Sequence, residues 1–365
     1  MPELFQDDFF ADDPPPAKPA AAQAVQTAAG DDAKPARKLR RGDVVLTPDA
    51  AQYTTLASQL PALLRMGAST WSYPGWEGLV WDGAYSKDVL AKKGLTAYHQ
   101  HPLLRTICVD RTFWRPLTAS QYAAFAAQVD EDFRFVVKCP AGVTDAQVRT
   151  EEGKPREANP AFLDPHLAVE HFVLPTLKGL GSKLGVLVFQ LSPLPWSLLS
   201  QPSLLMNKLG LLLSAVQQTL QAQNKQSEVI VAVEVRDPEL LTPALAQTLK
   251  AHGATYCLGL HGTMPPIEEQ LPILRALWPG PLVCRWNLNR IFGAYGYADA
   301  QAKHDPFSEI RSEDLHTREQ LARTIAGICG AGQPAFVTIS NDAEGCAPRS
   351  IALLAQALAR LTHPS

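Results

Sequence analysis

No apolar run in this chain of 365 residues approaches the ~20 consecutive residues that a membrane-spanning helix requires. The opening Met1-Pro2-Glu3-Leu4-Phe5-Gln6-Asp7-Asp8 places acid where a secretory signal carries base and then an apolar stretch. The chain therefore reads as cytoplasmic, with no membrane partner. No two of the six cysteines (Cys108, Cys139, Cys257, Cys284, Cys329, Cys346) stand as C-x-x-C. That indicates neither a zinc site nor a disulfide framework, and most of them read as small buried hydrophobes. The sequence also lacks a Walker A loop, a G-x-G-x-x-G turn and a G-x-S-x-G elbow. Nucleotide hydrolysis, dinucleotide binding and the usual serine hydrolase chemistry are disfavoured, and no nucleotide cofactor motif is present. Neither sign of charge dominates. A net charge of -3 and a pI near 6.3 argue against broad nonspecific nucleic-acid binding, while leaving local basic patches open.

What is present is a large core. With 46% hydrophobic and 19% charged residues, the chain suits one large α/β domain plus an extension. The extension is residues 1–42. Its first forty residues hold ten Ala and six Pro, too little apolar surface to offset the entropy of ordering, so it reads as a disordered tail. Two features make it a candidate docking peptide for a partner protein: the acidic-aromatic opening Leu4 to Phe10 and the basic cluster Lys34, Arg37, Lys38, Arg40, Arg41. The cluster is also a weak candidate for nucleic-acid phosphates, although a charge run is usually only solvated. Residues 43–65 form a pre-barrel segment, expected as a helix over the barrel's closed end.

From residue 66 to 365 strand-like and helix-like runs alternate. Eight strands are expected: Met66 to Thr70, Arg105 to Val109, Phe133 to Cys139, Leu184 to Leu191, Val229 to Val235, Ala254 to Leu260, Leu282 to Trp286 and Ala335 to Ser340. Thr118-x-x-Gln121 has capping-box spacing, Thr242-Pro243 sets a cap before a first-turn proline, and Gly253 suits a helix stop. Eight βα units point to an α/β fold of the parallel (β/α)8 TIM-barrel type, with an open doubly wound sheet as the alternative.

Polar groups gather at the strand ends. In Val231-Ala232-Val233-Glu234-Val235-Arg236 the valines share one face, while Ala232, Glu234 and Arg236 share the other. The same alternation aligns Lys138 with Val136, Gln190 with Val188, Arg285 and Asn287 with Val283, Asp110 with Cys108, and Asn341 with Ile339. Buried charges without partners are costly, so the set is either a ligand site or a compensating internal network. Glu234 with Arg236 alone reads equally well as a structural ion pair. Trp71, Tyr73 and Trp76 offer flat faces for a sugar ring or base, or simply pack the first loop. Lys138, Arg236 and Arg285 suit an anionic group. A Schiff-base role for Lys138 is less favoured, because nothing in the sequence shows that its pKa is lowered. Glu234 with Asp342 or Glu344 makes a candidate acid/base pair, Glu234 as base or metal ligand and Asp342 or Glu344 as acid. Mg²⁺ or Mn²⁺ suits such carboxylates better than zinc or iron does. His261 follows the sixth strand as a plain polar loop histidine or an assistant to the site.

Six ordered blocks carry a resemblance: Gly67 to Trp76, Thr112 to Trp114, Phe133 to Pro140, Phe189 to Leu191, Val233 to Pro238, and Asn341 to Pro348. Together they resemble the YecE-like family, domain of unknown function 72, from Gly67 to about Leu361. The resemblance implies a TIM-type barrel and carries no established activity. The family's usual glutamate and asparagine on the second strand are Cys108 and Asp110 here. Its usual histidines after the third and fifth strands and ending the seventh are Asp145, Asp237 and Asn287. Two readings follow. The chain is an enzyme acting on a small polar, anionic or carbohydrate-like molecule by carboxylate acid/base chemistry, as the retained carboxylates favour. Alternatively it is a non-catalytic ligand- or nucleic-acid-associated protein whose tail recruits a partner, as the replaced histidines favour.

Overall fold

Eight of the apolar runs are strands, and the order in which they hydrogen-bond closes on itself. The computed structural model describes residues 42–149 and 155–362. Its strands are β1 (Leu64–Ala68), β2 (Thr106–Val109), β3 (Arg134–Lys138), β4 (Gln147–Arg149), β5 (Pro155–Ala158), β6 (Leu184–Gln190), β7 (Ile230–Glu234), β8 (Thr255–Leu260), β9 (Leu282–Trp286) and β10 (Ala335–Ile339). All except β4 and β5 form one closed barrel, β1-β10-β9-β8-β7-β6-β3-β2, with every barrel pairing parallel. This is the TIM-type barrel and excludes the open sheet. β4 and β5 pair antiparallel in the connection after β3. The four residues of β5 are exposed, so no apolar pattern announced them.

Barrel strands are buried on both faces because helices cover the outside and side chains fill the inside. The inner fill is a separate small cluster of Cys108, Val136, Val186, Val188, Ala232, Cys257, Val283 and Phe336. Alternation along β2, β3, β6, β7 and β9 thus has the phase read from the sequence. For β10 it does not. Phe336 belongs to the inner cluster and Ile339 to the outer one, so the inner face runs Phe336, Thr338, Ser340, and Asn341 does not continue it. Every residue of β10 is buried, so the pattern alone gave no phase.

Local signals hold the helices at the expected places. Thr118 Oγ1 accepts from Gln121 N while Gln121 Oε1 accepts from Thr118 N at 2.8 Å, a reciprocal cap on Ala119–Ala126 worth about 1 kcal/mol. Thr242 caps Pro243–Ala251 through Leu245 N at 3.3 Å, and Gly253 follows at φ +61°. Gly67 is required by close approach: a Cβ there would lie 1.7 Å from Thr106 O on β2. Residues 43–65 differ from the single helix expected. They contain a 3-10 turn at Pro48–Tyr53 and a short helix at Thr54–Ser58, and β1 begins two residues early, at Leu64. Expectations for the tail, including its docking and basic segments, fall on residues 1–41, outside the described residues. Among the described residues no helix is long and apolar enough to cross a membrane.

Candidate active site at the barrel mouth

Parallel strands all end on one side of the barrel, so the inward residue closing each strand faces a common mouth. On β7 that residue is Glu234, fully buried, and Arg236 is the next inward position. Across β6 the register sets Gln190 beside Glu234. On β9 the inward residue is Arg285, which lies two strands from Glu234. The intervening inward position on β8 is Gly259, where a Cβ would sit 3.3 Å from both Cγ and Oε1 of Glu234. The missing side chain is the passage through which the Glu234 carboxylate crosses β8 to reach Arg285.

The result is one connected network. Glu234 Oε2 accepts from Arg285 Nη1 at 2.5 Å, and Oε1 lies 2.8 Å from Arg236 Nη2. Asn287 Nδ2 donates to Glu234 Oε1 at 3.2 Å. Both guanidiniums donate to Gln190 Oε1, Arg236 at 3.0 Å and Arg285 at 3.2 Å. Arg285 Nη2 continues to Asp110 Oδ1 at 2.6 Å, and the Cys108 thiol donates to the same oxygen at 3.0 Å. Burial pushes the Glu234 carboxyl up, but Arg236, Arg285 and Lys138 outweigh it, holding the group below its ordinary range. Asp110 is treated likewise, with Arg285 and Lys138 outweighing burial. Asn287, at the position where the family resemblance places a histidine, is therefore a neutral donor to an already ion-paired carboxylate.

Lys138 ends β3 with its Nζ 3.5 Å above the centre of the Phe113 ring. It is 8% exposed, and among the described residues no carboxylate lies within ion-pair distance of it. Burial first, then Arg285 and Arg236, lower its pKa to about 7, with Asp110 and Glu234 acting in the opposite sense. The ring face favours the ammonium by about 1–2 kcal/mol, which is only about one pKa unit, so the amine still titrates well below an ordinary lysine. His261 continues the inward face of β8, Cys257-Gly259-His261. Its Nδ1 accepts from Thr263 N at 3.2 Å; burial, then Arg236, lowers its pKa to about 3. It is a neutral imidazole whose ring lies 5.5 Å from that of Tyr297. That ring contact sets Tyr297 at the same mouth; burial raises its phenol, with Arg236 and Arg285 acting against the rise and Asp342 and Glu234 adding to it.

The last loop divides. Asp342 is buried beside Ser340, whose hydroxyl lies 3.2 Å from Oδ2, and burial raises its carboxyl to about 6. Glu344 turns the other way: its Oε1 pairs with Arg318 at 2.5 Å and accepts from Asp314 N at 2.8 Å. It fastens helix Leu315–Gly330 to the loop and is not placed to act as the mouth's acid. Asn341 Oδ1 accepts from Trp76 Nε1 at 3.2 Å and Ala347 N at 2.7 Å, a loop clamp outside the ring. Trp71 and Trp76 are buried, Trp71 edge-on to Phe125 and Trp76 stacked on Trp81. They pack the first loop, and Trp76 lines a small cavity with Tyr73, Ser340 and Asn341. Tyr73 packs between Trp76 and Phe307. Asp145 pairs with Arg149 at 2.6 Å, and Asp237 accepts from Leu194 N at 3.0 Å.

The structure thus brings together Lys138, Gln190, Glu234, Arg236, Arg285 and Asp110, with Asp342 acting on the Tyr297 phenol through its charge. It separates Glu344, Asn341, Trp71 and Trp76 from them. Among the described residues no three His, Cys, Asp or Glu side chains are grouped to hold a metal ion. Of the carboxylates considered for Mg²⁺ or Mn²⁺, Glu234 faces two guanidiniums. Phe113 and Tyr297 were missed. Inward alternation along β8 would have promoted His261, whereas Tyr297, on helix Tyr297–His304, had no local signal.

A closed parallel α/β barrel carrying a ring of buried charges at the carboxyl ends of its strands defines a TIM-barrel protein with a polar mouth. Residues 65–364 match the model of the protein family of unknown function DUF72, and the chain belongs to that family. Two solved structures of DUF72 family proteins share the fold. The one from Thermotoga maritima MSB8 is 17% identical, with 81% of this chain and 98% of that chain covered and a TM-score of 0.52. The one from Enterococcus faecalis V583 is 13% identical, with 81% and 95% covered and a TM-score of 0.50. Identities this low show the fold alone. No curated protein matches the chain.

Proposed function

We propose that the mouth is the active site of an enzyme acting on a small polar molecule with an anionic group. Lys138 is its reactive amine and Asp342 its proton donor. The carrying observation is Lys138: a buried amine at a strand end, lowered by Arg285 and Arg236, with no carboxylate in ion-pair reach among the described residues and a pKa of about 7. Groups poised near neutrality at the ends of barrel strands are what proton transfer needs. The charges favour an anion. Three cations (Lys138, Arg236, Arg285) face two carboxylates (Glu234, Asp110), which leaves one positive charge in excess when Lys138 is protonated. Glu234, held ionised between two guanidiniums, is a poor base and a worse acid; its role is to fix the arginines. Asp342, at about 6, is protonated often enough to act as the acid.

Binding of inorganic phosphate and of small carboxylates, measured calorimetrically, tests the anion site. Lys138→Ala and Arg236→Ala are expected to lose at least about tenfold in affinity, the ~1.4 kcal/mol below which a charge-assisted contact is not being made. Wild-type affinity in both places the site elsewhere. Turnover of any ligand so identified, followed by NMR, should vanish in Lys138→Ala and Asp342→Asn. Retained binding with no turnover in the wild type favours the non-catalytic reading, for which the self-satisfied Arg236–Glu234–Arg285 network is the supporting observation.

A further inference from the structure

The geometry of Lys138 points to covalent chemistry, and the inference rests on reading the mouth as an anion-binding site. We propose that Lys138 condenses with the carbonyl carbon of a small anionic oxo compound, a 2-oxo acid or a phosphorylated ketone, to form an imine. The amine is backed by the Phe113 ring at 3.5 Å, and among the described residues it makes no hydrogen bond that would engage its lone pair. Asp110, which favours the ammonium form, already spends its Oδ1 on Arg285 Nη2 at 2.6 Å and the Cys108 thiol at 3.0 Å. The guanidiniums of Arg236 and Arg285 can hold a carboxylate or phosphate beside the amine. A desolvated lysine next to fixed cations is the arrangement that activates an amine for attack on a carbonyl.

The step balances. The Nζ lone pair forms the N–C bond as the carbonyl π pair moves to oxygen. A proton leaves nitrogen for that oxygen, one more is taken from solvent, and the C–O bond breaks to release water. The products are a protonated imine and one water, from a neutral amine, a carbonyl and one proton. The imine carries the positive charge that the neutral amine lacked, so the mouth regains its excess cation beside the bound anionic group.

The full chain, incubated at neutral pH with pyruvate or dihydroxyacetone phosphate and cyanoborohydride, is read by intact mass and peptide mapping. One reduced adduct at Lys138 is expected, forming roughly a hundredfold faster than at exposed lysines such as Lys250. The neutral fraction at pH 7 is on the order of 10³ larger than for an ordinary lysine, partly offset by weaker intrinsic nucleophilicity. Phosphate should slow the labelling by competing for the guanidiniums, and Lys138→Arg should leave only slow surface labelling. Peptide mapping of the wild type decides the matter even if that variant does not fold. Labelling at Lys138 no faster than at Lys250 with both probes overturns the imine. Phosphate binding that depends on Lys138 but gives no adduct overturns the imine while leaving the anion site intact. Absence of both overturns the two readings together.

Discussion

Replacing Glu234 by glutamine removes one negative charge from between two guanidiniums and leaves the side chain's shape. Glu234 is fully buried, Arg285 2% exposed and Arg236 7% exposed, so solvent screens little of the change. Removing one member of a buried ion pair costs about 3–5 kcal/mol, because the remaining charge is left unpaired in a poorly solvated place. Arg285 keeps Asp110, and both arginines keep Gln190, so the cost falls at the lower end, about 3 kcal/mol. At ~2 °C per kcal/mol for a domain of this size, Tm falls by roughly 6 °C. Asp132→Asn is the control. That carboxylate pairs with Arg65 and Arg105 but is 63% exposed, and its loss costs about 0–1 kcal/mol. Thermal melts of the three proteins across pH supply the measurement. Because the folded Glu234 carboxyl lies below its unfolded value, its stabilisation is fully present at neutral pH and disappears as pH falls through the folded value. The gap between wild type and Glu234→Gln therefore closes only in acid. A neutral-pH loss no larger than that of Asp132→Asn would refute the claim that this carboxylate holds the two arginines together.

Three further outcomes follow from neighbouring groups. Lys138 titrates near 7 when folded and higher when unfolded, so wild-type stability rises with pH from about 7 to the ordinary lysine range. Lys138→Met should be the more stable protein below that window, in chemical denaturation, and lose its advantage across it; a constant difference would show that the amine is not destabilised by burial. Asp342 has the opposite linkage: its folded value of about 6 exceeds the unfolded one, so wild-type stability falls as pH rises from the ordinary aspartate range to about 6. Asp342→Asn should melt higher above that range and equal the wild type in acid. Gly259→Val should block the crossing of Glu234 over β8 and cost about as much as Glu234→Gln, with the double variant well short of additive; full additivity would separate the two sites.

The barrel was legible in the sequence because it is written in local signals. Eight apolar runs spaced by helix-length segments, the Thr118 and Thr242 caps and the Gly253 stop each act within a few residues, and strand ends erred by no more than two. The inward set Lys138, Gln190, Glu234, Arg236 and Arg285 was legible for the same reason: period-two alternation is a local property once one face is known. Where both faces of a strand are apolar, as in β10, alternation carries no phase, and Asn341 was assigned inward when it clamps Trp76 and the start of the last helix. Partner choice is not local at all. That Glu344 pairs with Arg318, that Glu234 reaches Arg285 through the gap at Gly259, and that Lys138 meets an aromatic ring instead of a carboxylate depend on which strands and helices become neighbours when the barrel closes. Composition and alternation determined that charged groups would line the mouth. Only the tertiary structure decided which of those charges cancel and which amine remains unpaired, because electrostatic energies depend on distance and burial, and neither is fixed by position along the chain.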